Sequence, residues 1–176
     1  TIHFLNKILD AGVSVLKIEG RARSPEYVKT TVECYREAVY AWQNRTFTPE
    51  KIEQWDKRLT AVFNRGFWDG YYLGQRLGEW SNNYGSRASQ RKLYVGKCTN
   101  YFSNIGIAEI KLETANLKVD DEIIIIGPTT GVIQTKVSEI RIELQPVNEG
   151  KKGERISIPV ETKVRRSDKV YKVVDA

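Results

Sequence analysis

Three charged side chains, Lys17, Glu19 and Arg21, are the residues of this chain best suited to chemistry. The first two lie at the end of a run rich in β-branched residues, which predicts one strand over residues 13–19. Side chains alternate between the faces of a strand, so Lys17 and Glu19 should point the same way, with Arg21 following in the loop. α/β-Barrel enzymes present their working groups at such strand ends, which makes these three residues catalytic candidates. The alternative is a self-neutralising ion pair at a solvated strand end.

A helix should begin directly after this cluster. Residues 24–26, Ser-Pro-Glu, supply a capping hydroxyl, a proline for the first helical position and an acid in the first turn. Apolar and aromatic residues recur every three to four positions and predict an amphipathic helix over residues 25–43. The same start signal recurs at residues 48–50 and predicts a second helix to residue 62. These helices should form a hairpin.

Several in-order motifs give the chain a family resemblance. Residues 11–28, with their Lys-Ile-Glu-Gly-Arg and Ser-Pro segments, resemble the collagenase-like peptidases of family U-32. The likeness continues through Tyr-Arg-Glu-Ala at 35–38, Phe-Asn-Arg-Gly-Phe at 63–67, Gly70, Gly74, Asn-Tyr-Gly at 83–85, Tyr-Val-Gly at 94–96 and a β-rich tail. The resemblance implies that the Lys-Ile-Glu-Gly-Arg segment closes a catalytic α/β (TIM-like) barrel. The cysteine- and glycine-rich signature of the family's catalytic region is absent.

Two arginines are candidate substrate-binding residues, Arg23 and Arg65. The resemblance places Arg65 near the mouth of the barrel. Glycines recur every four residues over 66–78, interleaved with aromatic residues, and charged neighbours argue against a membrane helix there. The alternative for Arg65 is a glycine-punctuated loop packed under its own aromatic residues.

The chain starts at Thr1 and contains no methionine, so we expect it to be a piece of a longer protein. A short amphipathic helix closed by Gly12, one strand and one helix cannot close a barrel that needs eight such units. The expected partner of this part is therefore the missing catalytic barrel domain of the same protein.

The net charge of +6 is unevenly distributed. Residues 151–176 hold eight Lys or Arg against four Asp or Glu. Lys163, Arg165 and Arg166 are candidate nucleic-acid-binding residues, because a basic patch attracts phosphates. On a strand, Lys163 and Arg165 should share one face, with Arg166 on the other. The alternative is an ordinary solvated surface.

The sequence offers little support for a cysteine, histidine or metal site. Cys34 and Cys98 form no Cys-x-x-Cys pair and are expected to be buried, which suits a reducing, cytoplasmic compartment. His3 cannot complete a nucleophilic triad with any identifiable partner and is expected to be a partly exposed helix residue. No metal-ligand spacing is present, and the sequence identifies no cofactor. It also shows neither a membrane span nor a secretory leader.

The second half of the chain is rich in predicted strands. Residues 81–91 are polar and turn-rich, which predicts a linker. Short β-branched runs follow, separated by turn signals, and predict a small antiparallel barrel over residues 92–176. The predicted strands are 93–99, 106–111, 122–126, 132–143, 155–159 and 170–174. Their order is similar to that of the second domain of elongation factor Tu, without a phosphate loop.

The predicted fold is therefore α+β. Residues 1–80 would be the last α/β unit and helical hairpin of a catalytic domain, and residues 92–176 an accessory barrel that folds independently. The resemblance implies the carboxyl-terminal part of a U-32 peptidase whose barrel binds or presents substrate. The alternative is part of a tRNA or ribosomal RNA hydroxylation factor of the same family, with the barrel binding RNA. In either case the partner is RNA or a protein substrate, and the chain alone should lack peptidase activity.

Overall fold

The computed structural model describes residues 1–67 and 85–176, which fall into two compact units, Thr1–Ser89 and Gln90–Ala176. The first unit is helical and the second is built from antiparallel strands. The predicted combination of helices with an antiparallel sheet is confirmed. The predicted linker lies partly outside the described residues, as do Gly70, Gly74, Gly78 and the Asn-Tyr pair at 83–84.

The helical unit is a hairpin preceded by a short helical segment. Its elements are a 3₁₀ turn at Ile2–Phe4 and the helices α1, Leu5–Asp10; α2, Pro25–Gln43; and α3, Pro49–Ala61. Ser24 and Thr48 occupy the predicted N-cap positions, and a proline follows each of them. Neither hydroxyl makes a capping hydrogen bond, so the proline and the extended backbone before it define the helix starts.

The core of this unit forms because α2 offers small side chains where α3 offers large ones. Cys34, Ala38 and Ala41 of α2 are buried, together with Trp55 and Leu59 of α3. Side chains three and four positions apart lie on the same helical face, and the predicted stripe holds for α3 through Trp55 and Leu59. In α2 the fully buried face consists of small residues beside the predicted aromatic stripe, and the predicted Val32 is 42% exposed. The predicted hairpin is confirmed.

The strand predicted over residues 13–19 is absent. Residues 13–20 have no regular secondary structure, and Val15 is 79% exposed. A strand needs a neighbouring strand to satisfy its backbone N–H and C=O groups, and no described strand pairs with this segment. The end of an α/β barrel is therefore not seen in the described part of the chain.

The second unit contains ten strands. They are β1, Gln90–Phe102; β2, Ile107–Leu112; β3, Leu117–Lys118; β4, Glu122–Gly127; β5, Gly131–Lys136; β6, Ile140–Ile142; β7, Gln145–Val147; β8, Glu149–Gly150; β9, Arg155–Pro159; and β10, Lys169–Asp175. Eight form one sheet in the order β5-β4-β10-β1-β2-β9-β6-β7, and β3 pairs with β8. Every pairing is antiparallel.

Alternation of buried and exposed side chains builds one core in this unit. Ala108, Ile110 and Leu112 of β2 are fully buried, and their neighbours along the strand are partly exposed. β9 repeats the pattern through Ile156 and Ile158. This two-residue period is what a sheet with one buried face requires.

The strand predicted over residues 132–143 is divided into β5 and β6. Val137 leaves the ladder, donating its N–H to Asp121 O at 2.9 Å and accepting from the Asp120 N–H at 2.8 Å. Its side chain is 1% exposed. The chain thus bends toward the core at Val137, between β5 and β6. Residue composition alone does not separate these two strands.

Candidate functional site

The predicted catalytic cluster lies on an exposed turn. Lys17, Glu19 and Arg21 are all exposed, and the Arg21 N–H donates to Glu19 Oε1 at 2.7 Å. Among the described residues, neither Lys17 nor Arg21 makes an ion pair. The carboxylate is therefore fixed by its own backbone, and the predicted self-neutralising pair is not formed.

Two backbone features hold this turn in place. The Arg23 N–H donates to Gly20 O at 3.1 Å, and Ala22 between them has a φ of 56°. A Cβ at Gly20 would lie 3.0 Å from Val28 Cγ2 on α2, so the turn packs closely on the helix. No sequence signal predicts the left-handed alanine, because glycine or asparagine is the usual residue in that conformation.

The predicted substrate-binding arginines line one cavity of about 280 Å³ beside the helical hairpin. The Arg23 guanidinium carbon lies 4.3 Å from the centre of the Phe63 ring, within cation–π range. Arg65 is exposed at the same cavity. Lys17, Glu19 and Arg21 do not line it, so the structure separates the catalytic candidates from the substrate-binding candidates.

The same cavity contains two polar features that are not predicted from the sequence. His3 Nε2 lies 2.5 Å from Asp56 Oδ2, with both side chains partly exposed. The Thr31 hydroxyl is buried and has no hydrogen-bond partner within the described part of the chain. Contacts between residues 53 positions apart leave no trace in local spacing, so no signal could have indicated the first pair.

The predicted nucleic-acid-binding residues Lys163, Arg165 and Arg166 line a second cavity, of about 600 Å³, in the β unit. Arg155, which is not among the sequence-predicted site residues, lines it too. We call this cavity the basic groove; its lining residues are Thr99, Asn100, Tyr101, Glu109, Arg155, Lys163, Val164, Arg165 and Arg166. Four of these nine side chains are cations and one is a carboxylate.

That carboxylate is occupied by neighbours within the groove. Glu109 accepts a short hydrogen bond from the Thr99 hydroxyl, and its Oε1 lies 3.5 Å from Arg155 Nη1. The remaining charged groups of the groove, Lys163, Arg165 and Arg166, are donors only. The arrangement therefore suits a ligand that carries several acceptor oxygens and negative charge.

The expected strand geometry of this segment is wrong. Residues 163–166 belong to the loop between β9 and β10, which we call the basic loop. Val164 is 1% exposed, so Lys163 and Arg165 flank a buried anchor. Arg166 lies in a turn, and all three cations face the same groove instead of opposite faces of a strand.

Across residues 1–67 and 85–176, no three His, Cys, Asp or Glu side chains are grouped so that they could hold a metal ion. Cys34 and Cys98 are buried, and burial raises the pKa of their thiols to about 11 and about 12. Such thiols are protonated at neutral pH and are poor nucleophiles. None of the described helices is long and apolar enough to cross a membrane.

Comparison with known proteins identifies the family. The sequence model of peptidase family U32 matches residues 1–82. The chain is also 62% identical over 172 residues to a collagenase of Porphyromonas gingivalis strain W83, covering 98% of this chain and 42% of that protein. This chain belongs to peptidase family U32, as the motifs of its first half predicted.

Other relatives carry different names. An uncharacterized protease of Methanocaldococcus jannaschii is 35% identical over 158 residues, covering 88% of this chain and 38% of that protein. The tRNA hydroxylation protein P of Haemophilus influenzae is 29% identical over 122 residues, covering 68% and 26%. The chain thus spans less than half the length of these relatives.

Among solved structures, the C-terminal domain of a U32 peptidase from Geobacillus thermoleovorans matches with a TM-score of 0.43 at 16% identity. The match covers 45% of this chain and 90% of that domain.

Proposed function

We propose that this chain is the carboxyl-terminal part of a collagenase-like peptidase of family U32, in which Gln90–Ala176 binds or presents substrate to a catalytic barrel. The observation that carries the proposal is the 62% identity to the P. gingivalis collagenase over 98% of the chain. Eight hydrogen-bonded strands around one core suit an accessory β-barrel of the kind found in elongation factor Tu.

The partner of the helical unit is the catalytic barrel of the same protein. Residues 13–20 belong to no strand of the described chain, and Val13 and Val15 are 43% and 79% exposed. Exposed β-branched residues next to unpaired backbone groups favour pairing with another strand. Pairing with a barrel strand would place Lys17, Glu19 and Arg21 at the rim of the barrel, where working groups lie in such enzymes.

The chain alone should not hydrolyse peptides. Its three catalytic candidates are exposed and supply neither a nucleophile nor a closed pocket. We expect Glu19 to act only when a barrel encloses it. Turnover of gelatin or small peptides by the pure 176-residue chain would contradict this.

The deciding experiment assays the full-length protein on gelatin and on tRNA side by side. Wild type is compared with Glu19→Gln, which keeps the shape of the side chain and removes its charge. Glu53→Gln, on the exposed side of α3, is the matched control. Loss of gelatin cleavage in Glu19→Gln alone, with an unchanged Tm, supports the proposal. Full cleavage of gelatin by Glu19→Gln would show that Glu19 takes no part in catalysis.

A second candidate function is RNA hydroxylation, with the β unit binding RNA. The basic groove favours it, because four cations line one cavity of a chain related to a tRNA hydroxylation protein. Phosphate contacts make binding salt-dependent, with a log–log slope of about 0.7–0.9 per contact.

The groove variant Lys163→Ala/Arg165→Ala tests this candidate. We expect weaker tRNA binding and a salt slope that is flatter by about 1.4–1.8, for two lost contacts. Lys151→Ala/Lys152→Ala is the control, because it removes the same charge from an exposed turn outside the groove. Equal effects of both variants would show that net charge alone drives RNA binding. No effect of either variant would show that the groove is an ordinary solvated surface.

A further inference from the structure

A buried carboxylate stands behind the basic loop. Asp168 is 3% exposed, and its Oδ2 accepts from the Arg165 N–H at 2.8 Å and from the Thr130 hydroxyl at 2.5 Å. The Thr130 oxygen in turn accepts from Arg165 Nη1 at 3.2 Å. One carboxylate therefore holds the backbone of Arg165 directly and its guanidinium group through Thr130.

The turn that carries these groups is fixed at both ends. The Asp168 N–H donates to Arg165 O at 3.1 Å, and Ser167 between them has a φ of 74°. The backbone of Cys98 on β1 makes two hydrogen bonds to this turn: its C=O accepts from the Ser167 N–H and its N–H donates to Asp168 O, both at 2.9 Å. A left-handed serine is an unfavourable conformation that persists only where its surroundings determine it.

The neighbouring strand makes room for the carboxylate. A Cβ at Gly127, the last residue of β4, would overlap Asp168 Oδ1. A buried carboxylate is costly unless it is hydrogen-bonded. The Asp168 carboxylate is bonded to Arg165 of the basic loop and to Thr130, which holds the Arg165 side chain. The fold thus leaves room for a carboxylate that hydrogen-bonds the basic loop.

We propose that Asp168 is a positioning residue that presets Arg165 to bind a phosphate group of an RNA backbone; this inference rests on RNA binding, the second function proposed above. Phosphodiester oxygens are acceptors, which the donor-only cations of the groove match, and the planar guanidinium fork fits phosphate geometry. A preset side chain loses less freedom on binding, so affinity rises without a new contact.

Charge and positioning make opposite predictions for one substitution. Asp168→Asn removes a negative charge close to the groove, so simple electrostatics predicts tighter RNA binding. If Asp168 positions Arg165, the same variant binds RNA more weakly, since a neutral amide oxygen holds the Arg165 N–H and the Thr130 hydroxyl less strongly than a carboxylate oxygen does.

Thr130 supplies a charge-neutral version of the test. Thr130→Val keeps the shape of the side chain and removes the hydroxyl that bridges Asp168 to Arg165. We expect a loss of tRNA affinity of about three- to tenfold, the range for one side chain that must be ordered on binding. The salt slope should stay at the wild-type value, because no cation is removed. Thr130→Ser keeps the hydroxyl and should bind as wild type does.

The measurement is tRNA binding by the full chain across a salt series, for wild type, Asp168→Asn, Thr130→Val and Thr130→Ser, at temperatures well below each Tm. Wild-type affinity in Thr130→Val, or tighter binding by Asp168→Asn, overturns the positioning role while leaving RNA binding intact. Failure of the wild-type chain to bind tRNA at any salt concentration overturns the RNA function itself. Displacement of tRNA by polyglutamate at equal charge concentration overturns the assignment to phosphodiesters.

Discussion

Glu37 is the residue through which the helical hairpin should respond to pH. Its two carboxylate oxygens accept from Arg58 Nη1 at 2.8 and 2.7 Å, and Oε2 also accepts from Trp55 Nε1 at 3.0 Å. The hydrogen bonds from Arg58, followed by the one from Trp55, lower the pKa of Glu37 below its ordinary value of 4.5. One carboxylate on α2 therefore holds two side chains of α3.

We predict that Glu37→Gln destabilises the hairpin by about 0.5–1 kcal/mol at neutral pH, a modest value because solvent screens a carboxylate that is 46% exposed. A lowered folded-state pKa contributes stability above the unfolded value of 4.5, and this contribution is lost as the pH falls through the folded value. The Tm difference between wild type and Glu37→Gln should thus be largest above pH 5 and shrink toward pH 3.

Glu53→Gln, on an exposed position of α3, is the control for this pH series. It should change neither the Tm at neutral pH nor the shape of its pH dependence. A difference between wild type and Glu37→Gln that stays constant from pH 7 to pH 3 would contradict an ionic contribution. It would indicate that Glu and Gln differ at this position in their hydrogen bonds to Arg58 and Trp55 and not in charge.

At the residue scale, the sequence predicted which groups are charged and exposed but not what holds them. Lys163, Arg165 and Arg166 lie at one groove, as candidates for one function should. No sequence pattern singles out Asp168, because its partner Thr130 is 38 positions away. Long-range hydrogen bonds depend on strand register, and local composition carries no information about register.

At the scale of elements, the β6–β7 hairpin uses an unfavourable turn. Ile142 pairs with Gln145, which leaves Glu143 and Leu144 as a two-residue turn with φ of 48° and 71°. A turn with positive φ at both positions favours Asn-Gly, because other residues pay a steric cost in the left-handed region. Leu144 is 82% exposed, so its side chain gains little from packing.

We predict that Glu143→Asn/Leu144→Gly stabilises the β unit by about 1 kcal/mol or more. For a domain of this size, that change raises Tm by about 4–8 °C. The measurement is thermal unfolding followed by far-ultraviolet circular dichroism. Thr129→Gly, at an exposed turn position without positive φ, should leave the Tm unchanged or lower it. A lower Tm in the double variant would show that the side chains of residues 143 and 144 stabilise the hairpin.

Helices were easier to predict than strands in this chain, for a physical reason. α2 and α3 satisfy their backbone groups internally, so proline starts and a 3.6-residue period were enough to locate them. A strand exists only beside another strand. Residues 13–19 have the right composition for one and remain unpaired, whereas β3 and β8, each two residues long, pair without any clear signal.

At the scale of the whole molecule, each unit has its own core. Fifteen buried residues, from Val95 to Val170, form a single cluster in the β unit, and a separate cluster lies among α1, α2 and α3. Among the described residues, each cluster is formed by residues of its own unit. Hydrophobic burial is the main stabilising contribution to a domain, so each cluster can stabilise its own unit.

We predict that a fragment spanning residues 88–176 folds by itself. Its central strands are paired on both sides: β1 lies between β10 and β2, and β10 lies between β1 and β4. The fragment should show a β-type far-ultraviolet circular dichroism spectrum, resist limited proteolysis and unfold cooperatively on heating. Val164→Ala, which truncates the buried anchor of the basic loop, should lower its Tm; Val164 is 1% exposed. A fragment that is rapidly degraded and melts without a transition would show that this core needs the helical unit.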